Sequence, residues 1–313
     1  MPRRSTFYID ATMDNVNDNM NKIWCGTVIG RCEPKKGYYC LTVKAPHVAL
    51  SARAGQFIHV LPRTSESNDP LLRRAFSIMQ AKNEQIDILF RVGGPGTRLL
   101  AQKNIGEEVD FLGPLGLPFA QMDLTLSNST VIMVGGGIGV PPMVMLGRQL
   151  SDENPTRDVE MLIGARTNGD VLCVDFFDKY GIPVEIATDD GSVGQRGQVT
   201  QLLKERLRTI GERKRSNIVF ATERQEERSQ NASGFRNYVV VYACGPWPML
   251  RAVARLCSDF QVPCQVSMEE NMPCGIGVCN GCVVPMLNGD NEYSMYRRTC
   301  IEGPPMWAHQ IKW

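Results

Sequence analysis

The sequence predicts a β-barrel followed by an α/β domain: an antiparallel barrel, a parallel sheet with helices on both faces, and a small cysteine-rich C-terminal module. Three observations predict this. Short runs rich in β-branched and aromatic residues, punctuated by Gly and Pro, fill residues 24–119. Strand and helix patterns then alternate from about residue 130. From residue 263 the composition shifts to Cys, Gly and Met with little helical period.

Length and composition agree. A chain of 313 residues, 43% hydrophobic and 21% charged, can form about two domains and bury most of its apolar surface without disulfides. Disorder, collagen and a disulfide-dense miniature are excluded. Lys+Arg 34 against Asp+Glu 33 leaves a formal charge of +1, so no chain-wide basic field exists for nucleic acid or an anionic membrane. The opening MPRRSTFYID has no apolar core of a signal peptide. The apolar run at 238–244 is far short of the ~18 residues of a membrane span. A cytoplasmic location is expected. Thiols stay reduced there, so 11 cysteines, an odd number, point to metal binding or redox chemistry for some of them.

The elements follow in order. Residues 1–21 are polar and Asn-rich and read as a flexible arm. In the barrel segment, 22–123, the strands are WCGTVIGRCEP, YYCLTVKAP, GQFIHVLP, RAFSIMQAK and IDILFRV. In the α/β segment, 124–262, STVIMVGGGIGVPPMVMLGRQL reads strand, glycine turn, helix. VEMLIGARTN, PVEIATDD and YVVVYACGP read as further strands, and VDFFDKYGI, VTQLLKERLRTI and PMLRAVARLCSDF as helices. A mixed-charge stretch at 212–236 reads as a solvated insertion. Residues 263–313 form the last module.

The strongest chemical signal is CGIGVCNGC at 274–282 with a distant Cys300. The spacing, C-x4-C-x2-C-x17-C, is the plant-type arrangement for a [2Fe–2S] cluster held by Cys274, Cys279, Cys282 and Cys300. Four thiolates must converge on two irons, so the loop must fold tightly. Gly275, Gly277 and Gly281 can take positive φ and leave room for the cluster. The competing chemistry is zinc, whose sites usually come as two separate Cys pairs. The other seven cysteines read as small buried or incidental residues, Cys244 excepted.

Two segments suit nucleotides. After RRAFS at 73–77 comes RVGGPGT at 91–97, a turn into a short helix that can present N–H groups, and the Thr97 hydroxyl, to a pyrophosphate; a plain loop is equally compatible. Gly135, Gly136, Gly137 and Gly139 lie between a strand and a helix, the context of a dinucleotide site, although Pro142 stands where a full G-x-G-x-x-G has its last glycine. Tight strand–helix packing is the alternative. Cys244, Gly245 and Pro246 end a later parallel strand, where ligands of open α/β sheets gather. Cys244 is thereby placed beside a nicotinamide, or is an inert buried thiol.

This order of motifs resembles the ferredoxin reductase superfamily. With the terminal cysteines the chain resembles the electron-transfer subunits of class 1B dihydroorotate dehydrogenases, through GPLGLPF at 113–119, TDDGS at 188–192, YACGPWPML at 242–250, MEENMPCGIGVCNGCVV at 268–284 and YRRTCIEGPPMW at 296–307. The resemblance implies FAD on the barrel, contacted by Arg74, Ala75, Phe76, Ser77, Leu89, Phe90, Arg91, Gly96 and Thr97. It implies NAD on the α/β domain and the [2Fe–2S] cluster on the four cysteines. It also implies an FMN-containing catalytic partner subunit that oxidises dihydroorotate in pyrimidine biosynthesis, in a heterotetramer of two of each. Ser77 would hydrogen-bond near the reacting flavin nitrogen, Arg74 neutralise the pyrophosphate and Cys244 position the nicotinamide. Alone, the chain would be an NADH-dependent diaphorase. Trp247 departs from the acidic residue expected after CGP.

Other readings compete. One is a subunit of an NADH-dependent ferredoxin:NADP oxidoreductase or sulfide dehydrogenase, in which an acidic ligand replaces one cysteine. An oxygenase reductase would need a longer terminal ferredoxin domain. A zinc-stabilised interaction protein would lack flavin and colour. Arg166 is a weak pointer to a 2′-phosphate. Met272, Met286, Tyr293 and Trp307 belong either to a docking face or to local core around the cluster.

Overall fold

A computed structural model of the chain describes residues 23–63, 66–120, 129–213, 239–287 and 295–313. The expected N-terminal arm, nearly all of the 212–236 insertion and Tyr293 lie outside the described residues.

The first sheet has seven antiparallel strands: β1 (Ile23–Lys35), β2 (Tyr38–Lys44), β3 (Phe57–Leu61), β4 (Arg74–Ser77), β5 (Gln80–Lys82), β6 (Gln85–Arg91) and β7 (Glu108–Leu115), in the order β4-β3-β7-β1-β2-β6-β5. Its two edge strands, β4 and β5, are joined by Ile78 and Met79 alone. Ile78 N–H donates to Gln56 O at 3.1 Å and Met79 N–H to Asp87 O at 2.9 Å, so the linker is bonded to both sides and the sheet curls into a barrel. Two short helices interrupt it, α1 (Pro46–Ser51) and α2 (Pro95–Ala101), each opened by a proline in its first turn. α1 and β7 are additions to the elements expected from the sequence. Gly113 and Pro114 break the pattern of β7, yet Val109 and Phe111 alternate inward as a strand requires.

The second sheet is built from β8 (Thr130–Gly136), β9 (Asp158–Ala165), β10 (Val184–Thr188), β11 (Gln195–Arg196), β12 (Val239–Cys244), β13 (Cys264–Ser267) and β16 (Pro305–Trp307). Its order is β11-β10-β9-β8-β12-β13-β16, parallel except for β16. The helices are α3 (Pro141–Glu153), α4 (Val174–Lys179), α5 (Val199–Arg213) and α6 (Trp247–Asp259). β8 shows why the sheet is covered on both faces. Its side chains alternate between two cores: Val131 and Met133 face one, Ile132 and Val134 the other. Burying each such side chain contributes roughly 1.5–3 kcal/mol. The chain leaves β8 toward β9 on one side and returns with β12 on the other, which makes the β8/β12 boundary the switch point where ligands of such sheets bind.

The sheet runs on past residue 262, because β13 and β16 complete its edge. Between them lie the cysteine loop, the hairpin of β14 (Val283–Pro285) and β15 (Tyr296–Arg298), and the single turn α7 (Thr299–Glu302). The barrel and the α/β sheet share one apolar core, which holds Val28 and Ile58 of the barrel with Met133 and Val144. Tyr38 Oη donates to Asp170 at 2.8 Å and Arg148 Nη2 to Ala81 O at 3.0 Å across the same seam.

Candidate functional site

A cleft of about 560 Å³ opens at the switch point. Gly136 and Gly137 at the end of β8 and Pro246 and Met249 at the start of α6 line it, with Arg166, Asp170 and Asp189 also facing it. The four glycines named from the sequence do different work. Gly135 and Gly136 are the last residues of β8, and only Gly137, at φ +54°, turns an open backbone to the cleft. Gly139 packs so closely on the Cys244–Gly245 backbone that any Cβ would strike the Cys244 carbonyl. That contact locks the loop after β8 to the loop after β12. Trp247 turns away: its Nε1 donates to Glu270 at 3.0 Å and its ring meets Trp313 edge-on at 5.1 Å. The departure after CGP therefore leaves the cleft unobstructed.

A second cavity, about 500 Å³, adjoins the cleft. Ala75, Phe76, Ser77, Leu89, Phe90 and Arg91 line it from β4 and β6, and Cys244 closes it from β12. Arg91, Ile138 and Glu269 line both spaces, so they meet at this point. Arg74 and Gly96 lie to one side, near each other, and Arg74 Nη1 donates to Leu72 O at 2.9 Å. The Thr97 hydroxyl accepts from the N–H groups of Gly93 and Gly94 at 3.0 and 3.1 Å, so it holds the turn that the sequence offered to a phosphate. Burial, reinforced by the Glu269 carboxylate, pushes the Cys244 thiol far up, so at neutral pH it is an uncharged group.

The cysteine loop lies on the other side. Cys282 and Cys300 are buried with Phe57 and Leu115, and Met272 packs against them. Phe57 and Met272 also line the second cavity. Among the described residues no three His, Cys, Asp or Glu side chains are drawn together tightly enough to hold a metal ion as they stand. The donor set still suits one. Burial alone would raise Cys274, but N–H groups of Cys279, Ile276 and Val278 override it and hold the thiol at about 6, ready to be a thiolate. Burial and its neighbour Cys282 push Cys300 up to about 12. Gly275 and Gly277 take positive φ as expected; Gly281 does not, and Asn280, at φ 54°, takes that role.

Phe57 and Glu269, which were not among the expected site residues, join the spaces together with Met272, which packs against Cys282 and Cys300 as local core around the cysteines. His59 is fully buried against Gly275, and burial pushes its imidazole down to about 4, so the ring is neutral. Arg166 is paired with Asp170 at 3.7 Å, and Asp189 faces the same cleft. Of the proposed docking residues, Met286 is buried and Trp307 is half-buried in β16.

An antiparallel barrel, a parallel sheet and two adjoining cavities at its switch point define the ferredoxin reductase-like fold. Solved structures agree on the fold. The NADH-dependent reduced ferredoxin-NADP oxidoreductase superposes with a TM-score of 0.70 at 22% identity, covering 92% of this chain and 90% of that one. Ferredoxin-NADP+ reductase from Plasmodium falciparum gives a TM-score of 0.56 at 12% identity, covering 80% and 97%. Family models match twice: the iron–sulfur cluster binding domain of dihydroorotate dehydrogenase B at residues 269–312, and the oxidoreductase NAD-binding domain at 133–255. The dihydroorotate dehydrogenase B (NAD(+)) electron transfer subunit of Desulforamulus reducens is 33% identical over 94% of this chain and 100% of its own. That of Shouchella clausii is 36% identical over 89% and 93%. The chain belongs to the family of dihydroorotate dehydrogenase B electron transfer subunits.

Proposed function

We propose that the chain carries electrons from a dihydroorotate-oxidising, FMN-containing subunit to NAD, serving pyrimidine biosynthesis, through a [2Fe–2S] cluster and FAD held in the order in which the three spaces adjoin. One observation carries this. The middle cavity shares Arg91, Ile138 and Glu269 with the dinucleotide cleft and Phe57 and Met272 with the cysteine pocket. FAD supplies the needed chemistry, because a flavin exchanges a hydride with NAD and single electrons with a cluster.

The residues take these roles. Ala75, Phe76, Leu89 and Phe90 wall the isoalloxazine and exclude water. Ser77 lines the same cavity and would hydrogen-bond near the reacting flavin nitrogen. Arg74, with Gly96 beside it, faces the pyrophosphate, and Thr97 fixes the turn. Gly137 would give the NAD pyrophosphate an open backbone, while Cys244, uncharged and buried, would help position the nicotinamide ring. Cys274, Cys279, Cys282 and Cys300 hold the cluster. The backbone N–H of Cys279 reaches Cys274 Sγ at 3.5 Å, and that of Gly281 reaches Cys279 Sγ at 3.4 Å, so the loop already directs amides at sulfur.

The partner docks over the cysteine loop. Ile276, Val278, Leu287, Met295 and Tyr296 are exposed apolar side chains from that one segment, and Val278 is 74% exposed. The assembly is a heterotetramer of two of each subunit. Among the described residues no helix is long and apolar enough to cross a membrane; the working location is the cytoplasm. The test is reconstitution with an FMN-containing dihydroorotate-oxidising subunit. Orotate formation coupled to NAD+ reduction is expected. Coupling only to ferredoxin or sulfide would favour the related reductase activities instead.

A further inference from the structure

Cys32 and Cys40 play no part in the electron path. They face each other directly across the β1–β2 ladder, as register partners. Antiparallel partners have Cα atoms about 4.5–5.5 Å apart, inside the range a disulfide spans. Their side chains are near enough for Cys32 to contribute to the raised pKa of Cys40. Cys32 is exposed and Cys40 half-buried beneath it. Cys173, which precedes α4, is a further neighbour of Cys40, and its Sγ lies 3.9 Å from Met79 Sδ. A line of sulfur thus runs from solvent inward. Arg31, Glu33 and Tyr39 form their own contacts beside the pair, with Glu33 bonded to Tyr39 and Gly37 and Arg31 over the Tyr39 ring.

We propose that Cys32 and Cys40 form a reversible disulfide site, closed by thiol–disulfide exchange with a small disulfide of the oxidised glutathione class. The Cys32 thiolate attacks one sulfur of the small disulfide; that bond breaks, a mixed disulfide forms on Cys32, and one small thiolate leaves. Cys40 then attacks the Cys32 sulfur and expels the second. Two protein thiols are oxidised, one small disulfide is reduced to two thiols, and the two thiol protons pass to the leaving groups. The exposed cysteine is the entry point because it is accessible; Cys40, half-buried beside it with its pKa raised, is the resolving thiol and gives its proton to the released small thiolate as it attacks. The bond would brace the hairpin between the two cysteines. Its Tyr38 lines the dinucleotide cleft and bonds Asp170 at 2.8 Å, and its Lys35 reaches Asn168 O at 3.4 Å.

Cys25 is a built-in control. It is exposed on the same strand, but its register partner on β7 is Asp110. The experiment treats the protein, with its cofactors bound, with oxidised glutathione under anaerobic conditions. Free thiols are then blocked with N-ethylmaleimide and the peptides mapped without reduction. A Cys32–Cys40 linked peptide is expected, with Cys25 stopping at a glutathione adduct or a blocked thiol. The Cys40→Ser variant should trap glutathione on Cys32. A wild-type Cys32 that retains glutathione while Cys40 is blocked would overturn the proposal, as would finding both cysteines blocked and unlinked. The test does not depend on which partner supplies electrons, so its failure leaves the proposed function intact.

Discussion

The dinucleotide cleft and the cysteine loop are built in opposite ways. The cleft rests on strand register: β8, β9 and β12 are paired along their full lengths, and Gly139 presses the two crossing loops together. The loop at 274–282 has no regular element and is anchored by buried Cys282 and Cys300, by amides aimed at sulfur and by the short β14–β15 hairpin. One site is therefore shaped before its ligand arrives. The other depends on sulfur donors brought together from a loop without regular structure, where metal binding and local folding are coupled.

The largest break in this comparison comes from Cys282→Ser. Iron content should collapse and partner-linked NAD+ reduction should fall by roughly 1000-fold or more, while NADH-to-dye turnover stays within about twofold, since the cleft does not need the loop. Equal losses in both assays would show that the two regions are not separable. Gly139→Val strikes the other region. Overpacking against the Cys244 carbonyl should cost about 1–3 kcal/mol in denaturant unfolding and weaken NADH binding, with iron content unchanged. Ser77→Ala should slow single-turnover hydride transfer about tenfold, the loss of one hydrogen bond, with the flavin spectrum retained; an unaltered rate removes its role. Asp189→Asn should narrow the preference for NADH over NADPH several-fold in kcat/KM, because a carboxylate in the cleft opposes a 2′-phosphate. Smallest is Trp247→Phe. It loses the Glu270 hydrogen bond and about 1 kcal/mol of stability, seen as a drop of a few degrees in Tm, with no change in KM for NADH.

The same contrast explains what could be read in the sequence. Local patterns marked β8, α3, α5, β12 and α6 because period and glycine punctuation are properties of neighbouring residues. The cysteine spacing marked the loop for the same reason. β7 stayed hidden because Gly113 and Pro114 disrupt its alternation, and only pairing with β1 and β3 makes it a strand. The meeting of Phe57, Glu269 and Met272 around one cavity was equally hidden. Phe57 lies more than 200 residues before Glu269 and Met272, and only the closed barrel against the sheet edge brings them together. Thr97 and Trp247 show a third limit: their positions were legible, but the partners that occupy their polar groups were not.

One molecule joins a two-electron carrier to a one-electron carrier through the cavity between them. Anaerobic protein holding both iron and flavin, titrated with NADH and followed by absorbance and electron paramagnetic resonance together, tests it directly. Bleaching of the flavin should be accompanied by the paramagnetic signal of a reduced [2Fe–2S] cluster in the same samples. A flavin that bleaches fully while an intact cluster stays oxidised, even with its potential within reach of NADH, would mean that the two sites do not communicate.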